Sequence, residues 1–445
     1  SANTSNRISS LTCLTSTFLK HYSLPGFKVN IKKVQTTRNG NFLLAGSLIL
    51  PNNEEEGLLS TMDNAGYFLT QNRFRINNKP LGIYTLKVKA NDKYLIAGIL
   101  HDVPDKVFIA QLSNNLTTDW VKIITTPAIP VDVKLDVAYN DQVFFAVNMT
   151  NSIYYSLLDI SGNYIWSKTM SPAGLNNLTG IGHLDFAQLG ILTNCTRAGL
   201  KVVEQTTLDQ ATGANITVPY TISNATDENY FTGMTSYSNR FIFSGVRKTN
   251  AAQFNLMRII GYQSTGPEVE HAYTIPGNVD FNTSAAMDNV GDAMGFCFPD
   301  QGKLLFLRQN SNYQTSLDLT KEYTVPTGTN ISSITRSYFD GGFLFALNSA
   351  DSSNFMLLKT DSIGTLPVCG FQTINSSFTE TLNLQNTASV STTGTGSNNS
   401  VNTTLSSSPI LLNTIADCNE IFCPPEPAED TCLSTYYKTL RSNSD

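Results

Sequence analysis

The sequence predicts an all-β protein, a seven-bladed β-propeller, on three observations. Short apolar runs rich in β-branched and aromatic residues recur from residue 28 to about residue 365, without an amphipathic helix of convincing length. One phrase, a polar turn followed by an apolar run that ends in small residues, returns at a spacing of roughly 50 residues, which is typical of propeller blades. The last repeat lacks a fourth strand, and residues near the N-terminus can replace it.

The recurring phrase marks seven repeats, of which the fourth is the weakest. It occupies residues 39–46, 91–98, 140–146, 188–192, 238–245, 291–296 and 340–346. A second apolar run then leads to a tight turn, written Asp-x-x-Gly at 63–66, 159–162 and 361–364. Asp caps such a turn and Gly adopts its left-handed position. An amphipathic edge run, as at 119–123 and 163–168, closes each repeat. Four strands in each of seven repeats predict the propeller.

The strand that closes the ring is predicted at the N-terminus. The last repeat ends after three strands at 361–364, and its missing outer strand should resemble residues 164–168. The residues that do so are Thr17, Phe18, Leu19, Lys20, His21 and Tyr22. Pairing this strand with the final blade would cover an otherwise exposed edge.

The chain is expected to divide into four parts. Residues 1–15 are expected to form a linker and residues 16–370 the propeller. Residues 371–423, rich in Ser, Thr and Asn and containing cysteines, are expected to form a β appendage, either a long hairpin or a small unit. Residues 424–445 are expected to form a Pro-rich acidic linker and the first strand of a possible further module. Thr-Cys-Leu at 12–14 returns at 431–433. This repetition predicts one unit cut from a tandem series.

The seven cysteines fall into two groups. Cys195 and Cys297 stand in apolar stretches and are expected to be small buried residues. Cys369, Cys418, Cys423 and Cys432 are candidate disulfide cysteines, which would indicate an oxidising, extracytoplasmic setting. Zinc ligation is the alternative, although no close Cys-x-x-Cys pair and no following His support it. The pairing stays open, and Cys13 would need a partner of its own.

Composition excludes several classes of partner. The chain of 445 residues is 41% hydrophobic and 14% charged, with a net charge of −6, so it offers no basic field for nucleic acid. No apolar run approaches the roughly 20 residues that span a bilayer. Asn-x-Ser/Thr sequons are numerous, for example at Asn115, Asn148, Asn194, Asn215 and Asn330. A chain this rich in Asn, Ser and Thr would contain such sequons by chance, so they are no proof of a eukaryotic secretory origin.

The sequence contains no recognisable catalytic motif. The four histidines show no metal-ligand spacing, and there is no nucleophile elbow or phosphate-binding loop. The Asp-x-x-Gly turns lack the alternating oxygen ligands of a calcium loop. Residues 54–56, three glutamates, are expected in a solvated loop. Trp120 and Trp166 are expected to pack between blades, with sugar stacking as the alternative. The stretches 171–174 and 227–230 could be ligand-presenting loops.

Two stretches carry a family resemblance. Asp-Gly-Gly-Phe at 340–343 followed by Met-Leu-Leu-Lys-Thr-Asp-Ser-x-Gly at 356–364 resembles the propeller repeats of large secreted surface proteins of Bacteroidota, as does the Cys-bearing tail with its Cys-Leu-x-Thr-Tyr-Tyr-Lys-like restart. The resemblance implies export by the type IX secretion system and a role in gliding motility or adhesion. Here the Asp-Gly-Gly turn is intact only in the last repeat.

The predicted function is therefore that of a non-enzymatic, adhesin-like extracellular surface module without a cofactor, for display or partner binding in cell-surface adhesion or gliding. The expected partner is a protein or glycan on a cell surface or matrix, besides further modules of the same chain, with no nucleic acid and no membrane insertion. The alternatives are a glycan-binding lectin propeller and a divergent propeller hydrolase.

Overall fold

The computed structural model describes a chain built almost entirely of strands. It covers residues 15–184, 187–216, 219–222, 227–237, 240–249, 253–262, 266–274, 279–309 and 317–366, and strands between 373 and 422. The linker 1–14, both Thr-Cys-Leu motifs, residues 423–445 and, among the cysteines, Cys13, Cys369, Cys423 and Cys432 lie outside the described residues. The side chain of Cys418 does so too, so the disulfide and zinc hypotheses stay predictions.

The strands up to residue 360 form seven sheets, one for each predicted blade. The first strand is β1 (Thr15–Ser23). Blade 1 contains β2 (Lys28–Thr36), β3 (Phe42–Ile49), β4 (Glu55–Met62) and β5 (Phe68–Ile76). Blade 2 contains β6 (Leu81–Val88), β7 (Tyr94–Leu100), β8 (Lys106–Leu112) and β9 (Thr118–Ile124). Blade 3 contains β10 (Pro130–Val137), β11 (Val143–Met149), β12 (Ile153–Leu158) and β13 (Tyr164–Pro172).

The remaining four blades follow the same order. Blade 4 contains β14 (Leu175–Leu184), β15 (Gln188–Arg197), β16 (Leu200–Asp209) and β17 (Tyr220–Ile222). Blade 5 contains β18 (Glu228–Tyr237), β19 (Arg240–Lys248), β20 (Phe254–Tyr262) and β21 (Gly266–Thr274). Blade 6 contains β22 (Ser284–Met287), β23 (Ala293–Phe298), β24 (Lys303–Gln309) and β25 (Leu317–Thr324). Blade 7 contains β26 (Asn330–Arg336), β27 (Phe343–Asn348) and β28 (Phe355–Thr360).

The sheets are antiparallel and the ring is closed. The first strand of every blade is innermost and contacts the first strands of both neighbouring blades, including β2 with β26, so the innermost strands complete a circle. The seven recurring phrases correspond to the second strands, β3, β7, β11, β15, β19, β23 and β27. The predicted seven-bladed propeller is thus confirmed, including its weak fourth repeat.

The N-terminal strand closes blade 7, as predicted. β1 pairs antiparallel with β28, from Phe18 opposite Lys359 to Tyr22 opposite Phe355. Both aromatic side chains are buried, and the Tyr22 hydroxyl donates to the Gly66 carbonyl of blade 1 at 3.2 Å. Residues from the two ends of the propeller therefore share one blade.

The segment after the propeller adds a fifth, outermost strand to every blade. Its strands are β29 (Thr373–Ile374), β30 (Thr379–Asn383), β31 (Thr387–Ala388), β32 (Ser391–Thr395), β33 (Ser400–Asn402), β34 (Leu405–Pro409) and β35 (Asn413–Phe422). They pair antiparallel with blades 6, 5, 4, 3, 2, 1 and 7 in that order, so the segment runs around the ring against the direction of the blades. The last, β35, pairs with β1. The β appendage predicted for 371–423 stays a prediction as a unit. Its described strands pair with the outer strands of the blades.

The predicted Asp-x-x-Gly turns have the expected chemistry. In blade 3 the Asp159 carboxylate accepts from the backbone N–H groups of Ser161 and Asn163, each at 2.8 Å. Gly162 has a φ of 79°, in the left-handed region that favours glycine. The turns that begin at Asp63 and Asp361 repeat this pattern.

Buried residues complete the blade interfaces. Cys195 and Cys297 are fully buried free thiols, as predicted. Asn194 forms two hydrogen bonds with the backbone of the next blade. Its Nδ2 donates to the Phe231 carbonyl at 2.7 Å, and its Oδ1 accepts from the Phe231 N–H at 3.0 Å. Asn348 binds Ile31 in the same way across the closure. The sequon at Asn194 therefore serves blade packing in the folded chain.

Candidate binding site in the central channel

The innermost strands enclose a channel along the axis of the ring. Its lining comes from all seven of them, and its cavity volume is about 140 Å³. Five of these strands carry a β-bulge at an equivalent position, where the extra residue is Lys32, Tyr84, Thr179, Thr232 or Ser332. A bulge turns side chains of its strand in a new direction, and here it brings consecutive residues to the channel wall.

The bulges of the inner strands explain why glycine occurs in the second strands of the blades. A Cβ at Gly46 would collide with the backbone of Asn30 and Ile31, and one at Gly98 with the carbonyl of Gly82. Glycine in the recurring phrase therefore permits the close approach of the bulged inner strand.

The two sides of the channel differ in charge. Blades 1 to 3 contribute basic residues: Lys32, Lys33, Lys87 and Lys134. Blades 4 and 5 contribute neutral ones: Thr179, Gly180, Ile181, Thr232, Gly233, Met234, Thr235 and Ser236. The channel thus has a basic wall formed by blades 1 to 3 and a neutral wall formed by blades 4 and 5. The carboxylates among the lining residues are Asp136 of blade 3 and Asp288 of blade 6.

Asp136 connects four blades at one end of the channel. Its carboxylate pairs with the Lys87 ammonium of blade 2 at 2.5 Å and with His183 Nδ1 of blade 4 at 3.1 Å. Ser236 of blade 5 donates to it at 3.2 Å. Although burial acts to raise it, the pKa of Asp136 lies below its ordinary value because Lys87 and His183 stabilise the carboxylate. This cluster has the character of a structural ion pair.

Lys134 and Lys32 line the same wall in different ways. The Lys134 ammonium pairs with the Asp132 carboxylate at 2.8 Å. Lys32 places its ammonium 5.3 Å from the centre of the Tyr84 ring and has no carboxylate within 4 Å among the described residues. Burial lowers the pKa of Lys32, Asp132 and Glu55 oppose that shift, and Lys134 adds to it. Lys32 is therefore a cation held beside an aromatic face.

Lys33 is the least compensated of the four. No hydrogen bond or ion pair to its ammonium is present among the described residues. Burial, followed by the neighbouring charges of Lys87 and Lys134, lowers its pKa from 10.5 to about 8, with Asp136 acting in the opposite direction. A side chain of this kind attracts an anion.

The glutamates at 54–56 correct an expectation. Glu55 and Glu56 begin β4 and do not lie in a solvated loop. Glu56 is buried and pairs with Arg73 at 3.4 Å and with Arg75. Glu55 accepts from Tyr84 at 3.1 Å and lies 2.8 Å from His101 Nε2. The strand buries them because cationic and hydroxyl partners of neighbouring strands compensate their charges. Likewise, 228–230 belong to inner strand β18 and 171–172 to β13.

The two tryptophans stabilise contacts between blades, as predicted. Trp120 of blade 2 lies over the Gly162 turn of blade 3, and its indole N–H donates to the Ile160 carbonyl at 3.3 Å. Trp166 of blade 3 lies over Gly213 of blade 4 and donates to the Gln210 carbonyl at 2.7 Å. Each indole face is thus engaged by the next turn.

One face of the ring is rich in exposed apolar side chains. Because adjacent strands are antiparallel, the turns between first and second strands and between third and fourth strands share one face, which we call the turn face. Its large exposed residues are Tyr67, Tyr139, Ile160, Tyr237, Tyr338, Phe339 and Ile363. The opposite face carries Val103, Ile129 and Val131.

No metal centre and no membrane-spanning helix emerge from the described ranges. No group of three or more His, Cys, Asp or Glu side chains within them could hold a metal ion. No helix in the same ranges has the length and apolar character to cross a bilayer.

The channel lysines were not predicted from the sequence. Their signal is a lysine that follows an aliphatic residue in three successive inner strands, at 31–34, 86–88 and 133–135. The repeat spacing could have aligned these positions, but their approach to one another depends on ring closure and on the bulge in β2.

Comparisons with known proteins give distant structural likenesses. No protein-family model matches the sequence, and no curated protein matches it. Among solved structures, the chain resembles the Dos1 propeller (TM-score 0.44, 10% identity, 78% of this chain and 95% of that chain covered). It also resembles Sqt1 from Chaetomium thermophilum (0.40, 11%, 77% and 99%) and the WD40 domain of Toxoplasma gondii coronin (0.42, 8%, 78% and 87%). The class of the fold, a seven-bladed propeller, is defined by the seven sheets of the chain itself.

Proposed function

We propose that this propeller is a non-enzymatic, extracellular binding module of the adhesin type, which engages a protein partner through its turn face. The observation that carries the proposal is the concentration of exposed tyrosine, phenylalanine and isoleucine on that face. Tyr338 is 65% exposed and Ile363 is 60% exposed, both in turns of blade 7. Tyrosine offers a large contact area at a low cost in conformational entropy, and loops on a rigid scaffold are common binding surfaces.

The closure geometry supports this choice of surface. Tyr338 and Phe339 belong to the turn that joins β26 to β27, which contacts blade 1: the Phe339 ring lies against Gly40, and Ser337 donates to Asn64 at 3.1 Å. The Asp340 carboxylate of the same turn forms a buried ion pair with Lys359. The exposed rings therefore belong to a turn that is fixed by contacts with blade 1 and by a buried ion pair. Such a turn would lose little conformational entropy when a partner binds.

The test is an adhesion assay with a matched control. Beads coated with the protein are presented to cells of the source organism and to immobilised matrix proteins. The double variant Tyr338→Ser/Ile363→Ser changes the turn face, and Ile129→Ser/Val131→Ser removes side chains of similar exposure from the opposite face. Loss of an apolar anchor costs about 2 kcal/mol, so the turn-face variant should bind at least about tenfold more weakly, and the control like the wild type.

Three results would overturn the proposal. Equal loss in both variants would show a non-specific effect, and absence of adhesion above albumin-coated beads would remove the adhesin role. Adhesion that free oligosaccharides abolish would transfer the function to the lectin class. Labelling intact cells with an antibody to the propeller tests the extracellular location, since an internal protein would be stained only after permeabilisation.

A further inference from the structure

The basic wall of the channel carries more positive charge than the surrounding side chains compensate. Lys87 and Lys134 are paired with Asp136 and Asp132, whereas Lys32 and Lys33 have no carboxylate within ion-pair distance among the described residues. Two ammonium groups thus remain on one wall of a protein whose net charge is −6. On the far side, the Asp288 carboxylate of blade 6 also lines the cavity and lies 3.5 Å from the Arg336 guanidinium; burial raises the pKa of Asp288 despite that cation.

Space for a ligand lies next to these ammonium groups. The wall formed by blades 4 and 5 is made of neutral residues, among them Gly180 and Gly233. Thr232 and Thr235 hydroxyls on that wall donate to backbone carbonyls of blade 6, at 3.1 and 3.2 Å. No carboxylate of blades 4 and 5 is among the lining residues, so nothing on this side competes for the lysines.

We infer that the central channel is a binding site for a small divalent oxyanion, held by Lys33 with Lys32, Lys87 and Lys134 around it. The charge of the ligand follows from the two uncompensated ammonium groups. Its size follows from the cavity volume of about 140 Å³, which suits inorganic phosphate or a short dicarboxylate. Lysine binds such groups as a point charge with three rotatable donors and does not require a planar carboxylate. This site is independent of partner binding on the turn face.

Binding should be coupled to proton uptake by Lys33. Among the described residues, the titratable and charged groups that face it or the adjoining wall are Lys32, Lys87, Lys134, Asp132, Asp136, Glu55, Tyr84, His183 and Asp288. In the free protein, burial and the two neighbouring ammonium groups hold the pKa of Lys33 at about 8. A bound dianion favours the charged form and raises that pKa. Affinity should therefore be greatest below pH 8 and fall as the pH rises above it.

Isothermal titration calorimetry of the whole chain tests the inference. Phosphate, succinate, acetate and chloride are titrated at constant ionic strength and pH 7 into wild type, Lys33→Met and Lys303→Met. Lys303 is a half-buried lysine of blade 6 that is paired with Glu322 and lies outside the channel lining, so its variant controls for the change in net charge. Loss of one charge-assisted contact should weaken dianion binding about tenfold or more in Lys33→Met and leave Lys303→Met unchanged. At pH 8, titrations in buffers of different ionisation enthalpy should show uptake of about half a proton.

The outcomes separate the possible ligands and include refutation. Tighter binding of phosphate identifies a phosphate-type site, and tighter binding of succinate a dicarboxylate site; both support the inference. Equal affinity of wild type and Lys33→Met would overturn it, as would acetate and chloride binding as tightly as the dianions. Absence of heat together with an unchanged melting temperature at high phosphate and succinate would also overturn it. Melting curves of the variants establish that each is folded.

Discussion

Replacing Phe18 by alanine should open the propeller where its two ends meet. Phe18 is fully buried in β1, and a Cβ placed on Gly66 of blade 1 would lie 2.9 Å from its ring. Tyr22, its neighbour on the strand, stacks on Phe355 of blade 7 with ring centres 5.0 Å apart. The Phe18 side chain therefore packs in the apolar cluster that joins blade 7 to blade 1.

The expected loss is about 3–5 kcal/mol of unfolding free energy, the usual cost of truncating a buried phenylalanine. Trp120→Ala is the matched control, since Trp120 covers the equivalent turn glycine, Gly162, but within continuous chain. Its half-buried indole should cost less. Urea denaturation followed by near-ultraviolet circular dichroism gives both free energies. Amide hydrogen exchange then locates the effect: Phe18→Ala should expose β1 and β28, because no peptide segment links these strands directly.

Two results would refute this reasoning. A loss below about 1 kcal/mol would show that β1 contributes little to the packing of the closed ring. Unchanged protection of β1 and β28 in Phe18→Ala would show that closure depends on other contacts, such as the bonds between Asn348 and Ile31.

Two further predictions concern buried charges. Asp340→Ala should destabilise the fold by about 3–5 kcal/mol in urea denaturation, because it removes the carboxylate paired with the fully buried Lys359 ammonium. Adding Lys359→Met should restore much of that stability. A double variant no more stable than Asp340→Ala would contradict this. Lys33→Met should stabilise the protein at pH 7 by about 3 kcal/mol, since the pKa of Lys33 falls from 10.5 to about 8 on folding. Between pH 8 and pH 10.5 the folded wild type binds fewer protons than the unfolded chain, so the stability of the wild type rises with pH. The stability difference between Lys33→Met and wild type should therefore vanish near pH 10.5. A constant difference from pH 7 to pH 10.5 would refute the lowered pKa of Lys33.

Local chemistry explains why much of the architecture was legible from the sequence. The turns at Asp63, Asp159 and Asp361 need an Asp cap and a glycine with positive φ, and both requirements are written in adjacent residues. The alternation of apolar strands repeats because each blade buries the same two faces. Closure by Thr17–Tyr22 followed from a count of strands in the last repeat.

Residues that serve the next blade were partly predictable. Trp120 and Trp166 were assigned to blade packing because they occupy equivalent edge-strand positions. The role of Asn194 was not, since a sequon looks the same on the surface and at a buried blade junction. Burial of Glu56 was also missed, because its partners, Arg73 and Arg75, come from the following strand.

The sequence by itself determined the strand order, the number of blades, the turns and the strand that closes the ring, because these depend on periodicity and on short-range backbone chemistry. Only the tertiary structure decided the character of the channel. Lys33, Lys87 and Lys134 lie roughly 50 residues apart along the chain, as expected for propeller repeats. They meet because three inner strands converge on one axis and a bulge in β2 changes which side chains reach it. Charge compensation is a property of groups brought together in space, so the two unpaired ammonium groups became visible only once the ring was closed.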